Sequence, residues 1–435
     1  MNKKIHKISL DIESRVINYR RTFHKYAESG WTEFFTTSTI IDKLEKLGYE
    51  IITTKEIMKN IYRMGVPDSD VLDFHYKRAL NQGANPKIMK KLEGGYTGAI
   101  GIIKRGEGPT IALRFDIDAV DVSESNSVDH FPNIHNFTSV NTGVMHACGH
   151  DGHAAIGLGV AEVISKIADQ INGTIILIFQ PAEEGVRGAK SIASSEILNN
   201  VDYLLGGHLG IKKDTSKELY CNLEGFLATT KIDAHFKGIS THAGVSPEVG
   251  RNALLAAASS SIHLSSIPRN SQGATRINIG KLEAGTGRNV IPGYAYMQLE
   301  TRGENSDLNE YMKNNALNIL ESSAKMYQVN LETKVMGEAK AGHNNKKLVD
   351  IIEKIAFDTK LFTKVSKKSI NLGGSEDFSY LMDKVQKKGG EASYMLFGSD
   401  IKESHHHQGF DFQEKDLINI VELLSTITFK LLEKA

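Results

Sequence analysis

The chain has 435 residues, more than one ordinary hydrophobic core accommodates, so two or three domains are expected. Lys plus Arg and Asp plus Glu number 52 each, which leaves no single-sign field to attract nucleic acid or an anionic membrane, and points to a small-molecule partner. The two cysteines, Cys148 and Cys221, argue against a disulfide framework; the N-terminal MNKKIHKISLDIESRV has no apolar leader, and no stretch approaches the ~18 apolar residues of a membrane span, so a cytoplasmic chain is expected.

Residues 8–28 read as an amphipathic helix. FHKYAESGWTEFFTTSTIIDKLEKLGYE adds a turn and a second helix carrying Ile40, Ile41, Leu44 and Leu47, with Gly48 as its stop. Residues 52–95 are charged and mixed-helical, without strand alternation. They are expected to be an insertion that forms a solvated surface excursion, with a functional lid or binding loop as the alternative. Then come short apolar runs, GAIGIIK, TIALRF (110–115), TIILIF (174–179) and YLLGG (203–207), alternating with helical stretches as in a mainly parallel α/β sheet flanked by helices. In such sheets the site lies at the carboxyl ends of the strands. Asp116 and Asp118, the QPAEEG segment and His208 follow these strands, so they are expected to converge on one edge.

From about residue 229 the order becomes strand (TTKIDAHFKGI), helix, two strands (TRINIGKLEAG and YAYMQLETRG), helix and strand (VNLETKVMG). This βαββαβ series is a ferredoxin-like module inserted into the first domain. The expected division is residues 1–228 for the first part of the α/β domain, 229–337 for the module, and 338–435 for the second part. The last part contains GGSEDFSYL, a strand at SYMLFG, the SHHHQGFDF loop, and a final helix from Gln413 with Leu417, Ile420, Leu423 and Leu424 on its apolar stripe.

The densest chemistry lies in VNTGVMHACGHDGHAA, where His146, Cys148, His150, Asp151 and His153 fall within eight positions. A thiolate and an imidazole two residues apart reach one ion from an irregular loop, and the helical spacing of Ile156, Val160, Val163, Ile164 and Ile167 places that loop at a helix start. Consecutive side chains in QPAEEG point apart, so one carboxylate can bind metal while the other moves protons. His208 and one of His405, His406 and His407 complete a set large enough for two ions, since a single catalytic zinc takes about three protein ligands. The alternatives are solvated polar residues, or a Cys148 nucleophile with a His base; a thiol among so many potential ligands favours metal.

MHACGHDGH, QPAEEG, GGHLG, THAG, RNVIP and GGSEDFSY, in this order, resemble the aminoacylase-like metallo-amidohydrolases, which include indoleacetyl-amino-acid and hippurate hydrolases. FHKYAESGWTEF and the 52–95 insertion are most similar to the p-aminobenzoyl-glutamate hydrolase branch, in its A-subunit form. The resemblance implies a two-metal catalytic domain whose inserted ferredoxin-like module is a lid and dimerisation domain. It implies metal ligands at Cys148, His150, Glu184 and His208, and a general base at Glu183. Counting back four positions from Phe410 gives His406 as the last ligand, with the register open across His405 and His407. His242, reaching a partner subunit's site, and Asn289 and Arg302 match the family's substrate-binding groups. Local alternatives are a turn cap for His242, a loop-fixing role before Pro292 for Asn289, and an ion pair of Arg302 with Glu300 or Glu304. The implied reaction is hydrolysis of an N-acyl amino acid, foremost p-aminobenzoyl-glutamate, with two divalent ions per subunit, manganese or zinc. A broader acyl-amino-acid or hippurate hydrolase is the nearer alternative, and a substrate-binding partner subunit the other. The lid would pair in a homodimer, or in a heterodimer with a related B subunit.

Overall fold

A computed structural model describes residues 1–210 and 214–433. In chain order its strands are β1 (Glu50–Thr53), β2 (Ala99–Arg105), β3 (Thr110–Asp116), β4 (Gly173–Gln180), β5 (Tyr203–Leu209), β6 (Glu218–Tyr220), β7 (Leu223–Glu224), β8 (Ala228–Lys237), β9 (Thr275–Ala284), β10 (Tyr294–Gly303), β11 (Asn330–Ala339), β12 (Lys364–Ser366), β13 (Ile370–Asn371) and β14 (Glu391–Phe397). An eight-stranded sheet has the order β1-β2-β4-β3-β5-β14-β6-β12. Its centre, β4-β3-β5-β14, is parallel, while β2 lies antiparallel on β4 and β6 antiparallel on β14.

The parallel centre follows from the apolar runs. In β4, Ile175, Leu177 and Phe179 enter one core and Ile176 and Ile178 the other, so both faces are covered. The first core packs under helices Asn2–Lys25, His150–Ile167 and Asp416–Leu432, and the second under Phe378–Lys387. The N-terminal helix starts upstream of residue 8 because Ile5 and Ile8 extend the buried stripe of Ile12, Val16 and Phe23. Helix Phe34–Lys46 stops where Gly48 takes φ +82 and the Tyr49 N–H reaches back to the Leu44 carbonyl.

The segment expected to be a solvated insertion is anchored on its inner side. β1 forms the sheet edge, and Leu72, Ala79, Ile88, Met89 and Leu92 are buried beside helix Phe34–Lys46, whereas Ile61, Val71 and Phe74 face outward. The inner contacts are spread over two short helices, Ser69–Asn81 and Pro86–Leu92, and the charges between them mask the stripe.

The second sheet, β11-β8-β10-β9, is antiparallel throughout, the split βαβ arrangement of a ferredoxin-like module. Helices Ala253–Ser265 and Ser306–Met326 cover one face over a core of Ile232, Ala234, Phe236, Met297, Met312 and Leu320. Lys231, Asp233 and His235 alternate onto the uncovered face. The last strand runs to Ala339, two residues past the expected end at 337.

Candidate metal centre and active site

Five chain segments meet at the carboxyl edge of the parallel strands. β3 delivers Asp116 and then Asp118, β4 leads into Glu183 and Glu184, and β5 carries His208 near its end. Gly149, at φ +90, makes the turn that places Cys148 in the loop and His150 on the first residue of its helix. The loop after β14 brings in His405 and His406, the latter at φ +64.

Cys148 Sγ lies 3.5 Å from His208 Nε2, Glu184 Oε1 3.2 Å from His406 Nε2, and His150 Nε2 3.9 Å from Glu183 Oε2. Donor atoms of Cys148, His150 and His208 lie within 4.8 Å of one another, as do those of Cys148, Glu184 and His406, and those of His150, Glu183 and Glu184. Two of the imidazoles are oriented by carbonyls. His150 Nδ1 meets the Asp118 carbonyl at 3.0 Å and His208 Nδ1 the Leu209 carbonyl at 2.8 Å, so each Nδ1–H donates and each Nε2 lone pair faces the cluster. His150 Nε2 is buried without a hydrogen-bond partner, a costly arrangement for a polar atom unless a cation sits against it. The donor set of one thiolate, imidazoles and carboxylates fits a divalent transition metal.

Of the three adjacent histidines, His406 reaches Glu184. His405 donates from Nε2 to the Gly210 carbonyl at 2.6 Å and faces the His208 ring at 5.2 Å between centroids. His407 is exposed and accepts from the Gly409 N–H in a local turn.

The adjacent carboxylates have opposite electrostatics. Burial, reinforced by Glu376, Glu184 and Asp377, pushes Glu183 well above the usual carboxylate range. Glu184 is also raised by burial, but the close approach of His406 outweighs this and holds it low. Burial keeps His208 neutral, as a ligand requires, and burial with the neighbouring Glu184 pushes the Cys148 thiol up, so a bound cation is what would deprotonate it. His406 is raised, chiefly by Glu184, against burial and the charges of His150 and Lys231.

A surrounding layer fixes these groups. Asp118 accepts from the Glu183 and Glu184 N–H groups at 3.0 and 2.9 Å, and Glu33 accepts from the Ala182 N–H at 2.8 Å. His153 donates from Nδ1 to Asp116 and accepts the Leu209 N–H at Nε2, tying β3 to the end of β5. Arg114, wholly buried, pairs with Asp116, Glu376 and Asp377, and the Tyr394 hydroxyl donates to Glu376. The sequence reading gave no role to Glu33, Arg114, Glu376 or Asp377. The available signal was Arg114, a lone charge inside the apolar run TIALRF, since such a charge is seldom buried without partners.

A cavity of about 370 Å³ opens over the cluster, with Lys231 and Arg302 of the second sheet on its opposite wall. Arg302 forms a two-pronged pair with Glu300, at 2.9 and 3.2 Å. His242 and Asn289 do not line this cavity. They sit on neighbouring exposed loops joined by the Ala243 N–H to Asn289 carbonyl bond, and His242 Nδ1 accepts from the Gly244 N–H, the turn-capping contact.

Relatives match nearly the whole chain. The A subunit of p-aminobenzoyl-glutamate hydrolase from Escherichia coli (strain K12) is 41% identical over 412 residues, covering 94% of each chain. Indole-3-acetyl-aspartic acid hydrolase of Enterobacter agglomerans is 42% identical over 408 residues, covering 94% of this chain and 93% of its own. The crystal structure of an aminobenzoyl-glutamate utilization protein from Klebsiella pneumoniae superposes with a TM-score of 0.85 at 36% identity, covering 98% of each chain. Residues 112–430 match the peptidase family M20/M25/M40, and with these relatives the chain belongs to that family of amide-bond hydrolases.

Proposed function

We propose that the chain is a metal-dependent amidohydrolase that cleaves an N-acyl amino acid, foremost p-aminobenzoyl-glutamate, to the free acid and the amino acid. The observation that carries this reading is the convergence of the Cys148, His150, Glu184, His208 and His406 donors with the adjacent Glu183, a carboxylate whose burial raises its affinity for a proton. These five donors, Glu184 included, would hold two divalent ions, manganese or zinc. When bound, the ions supply Lewis acidity toward the amide carbonyl and make water a better nucleophile. Glu183 takes the proton of the attacking water and returns it to the leaving amine. Arg302, its fork held by Glu300, turns toward the substrate α-carboxylate. His242 of a second lid stabilises the oxyanion, and Asn289 positions the substrate beside it.

Residues 229–337 act as the lid and pair with another lid, in a homodimer or with a related B subunit, because the relative from E. coli is named as one lettered subunit of its hydrolase. Exposed Ile239, Val245, Val249 and Ile262 on this module support such a surface. No helix among the described residues is long and apolar enough to cross a membrane, and the free Cys148 and Cys221 fit a reducing cytoplasm. The indoleacetyl-aspartate relative supports a second reading, a broader acyl-amino-acid hydrolase. Purified chain, loaded with manganese or zinc, is to be assayed on p-aminobenzoyl-glutamate, indoleacetyl-aspartate and hippurate. Highest kcat/KM on the first is expected. Comparable rates on all three favour the broader activity, and no hydrolysis with either metal, alone or with a B subunit, overturns the proposal.

A further inference from the structure

We infer that Lys231 selects the amino-acid half of the substrate, restricting the enzyme to N-acyl amino acids with an acidic side chain. This rests on the hydrolase reading above and goes beyond it by assigning a specificity residue. The cavity over the metal-binding cluster has two cations on its lid wall, Lys231 and Arg302. The antiparallel register of β8 and β10 sets Lys231 opposite Glu300 and Arg302 opposite Thr229, so Glu300 stands between the two cations. Its carboxylate is committed to Arg302, with both oxygens engaged. Lys231 is left half-buried at the cavity wall, without an ion-pair or hydrogen-bond partner among the described residues.

A solvated lysine needs no counterion, but this one borders the space a substrate must fill. A bound substrate displaces water from the ammonium, and a neutral side chain offers nothing in exchange, whereas a carboxylate does. The two cations thus match a dianionic amino acid: Arg302, planar and forked, suits the α-carboxylate, and Lys231, a point charge on a flexible stem, suits a side-chain carboxylate at variable reach. Both relatives described above are named for substrates ending in an acidic amino acid, glutamate in one and aspartate in the other.

The test compares p-aminobenzoyl-glutamate with p-aminobenzoyl-glutamine, which differ in charge but scarcely in shape, on the metal-loaded full chain. Wild type is expected to favour glutamate. In Lys231→Met the glutamate-over-glutamine ratio of kcat/KM should fall by about 10- to 100-fold, the range of one charge-assisted hydrogen bond, with the loss carried by KM for glutamate. Lys231→Arg should retain most of the preference. Lys231→Gln carries the same expectation as the methionine variant and supplies the reading if that variant unfolds. An unaltered ratio in a folded Met or Gln variant overturns the inference while leaving the hydrolase reading intact; wild type inactive on both substrates overturns both.

Discussion

His150 and His242 show how differently the metal-binding edge and the inserted module hold their histidines. His150 is wholly buried, its Nδ1 fixed by the Asp118 carbonyl, while Asp118 itself grips the Glu183 and Glu184 backbone. His242 is exposed, and its Nδ1 meets the Gly244 N–H two residues away. The metal-binding edge is therefore preorganised, with His150 and the Glu183 and Glu184 backbone held by buried partners, whereas the proposed lid presents His242 on an exposed loop held only by a local contact. Arg302 and Lys231 stand between these extremes: they border the cavity from the lid, but Glu300 orders only the first.

The sharpest way to break this comparison is at the preorganised wall. Glu183→Gln should lose turnover by roughly 10² to 10⁴, as for other acid-base groups, yet keep its metals, because Glu184 and not Glu183 is assigned as the ligand. Metal analysis beside kcat measures both halves, and near-wild-type kcat in the fully metallated variant removes Glu183 from the role. On the lid, His242→Ala should cost about 10² to 10³ in kcat, the range for one oxyanion-hole donor, with KM little altered. A loss confined to KM would make His242 a substrate-binding residue instead. Arg302→Ala should raise KM by about 10-fold or more, and Arg302→Lys should recover only part of it, since lysine cannot reproduce the planar fork.

An effect on stability rather than on turnover concerns the layer behind the catalytic wall. Burial would lower the His24 imidazolium, but hydrogen bonds to Asp151 and Glu124 outweigh it and hold His24 up at about 9, against an ordinary 6.5. A folded-state value above the unfolded one stabilises fully below pH about 6.5, and that stabilisation is lost as pH rises through about 9. Glu124 runs the other way: its hydrogen bonds to His130 and His24 prevail over burial and depress it to about 2, so its contribution is present above about 4.5 and lost as pH falls through about 2. His24→Ala should therefore destabilise the chain more at pH 6 than at pH 10, by about 3 kcal/mol. Urea unfolding at the two pH values measures this, and equal destabilisation at both would show that His24 is not held as a cation.

The parts of this arrangement legible in the sequence are those set by local pattern. The alternation of TIILIF between two cores, the polar residues placed after strand ends, and the βαββαβ order follow from short-range periodicity and topology rules. Arg114 and its acidic partners were not legible as a unit, because Glu376 and Asp377 lie 262 and 263 positions away and nothing local announces the pairing. β6 and β12, three residues each, are too short to carry a period. The anchoring of residues 52–95 was hidden because its buried positions are thinly spread among charges. His406 was singled out by counting from Phe410, but its 3.2 Å approach to Glu184 depends on a left-handed backbone at a histidine, which spacing does not reveal.

The proposed sharing of the site, with Glu183 from one chain and His242 from its partner, is tested most directly by mixing two inactive variants, Glu183→Gln and His242→Ala. Native mass spectrometry first establishes that their subunits exchange, and the hydrolysis of p-aminobenzoyl-glutamate is then measured. In a heterodimer one of the two sites receives an intact Glu183 from its own chain and an intact His242 from its partner, so activity should return on mixing. If a B subunit is required for assembly, the same pairs are mixed in its presence. Heterodimers that form and remain inactive would contradict the shared site.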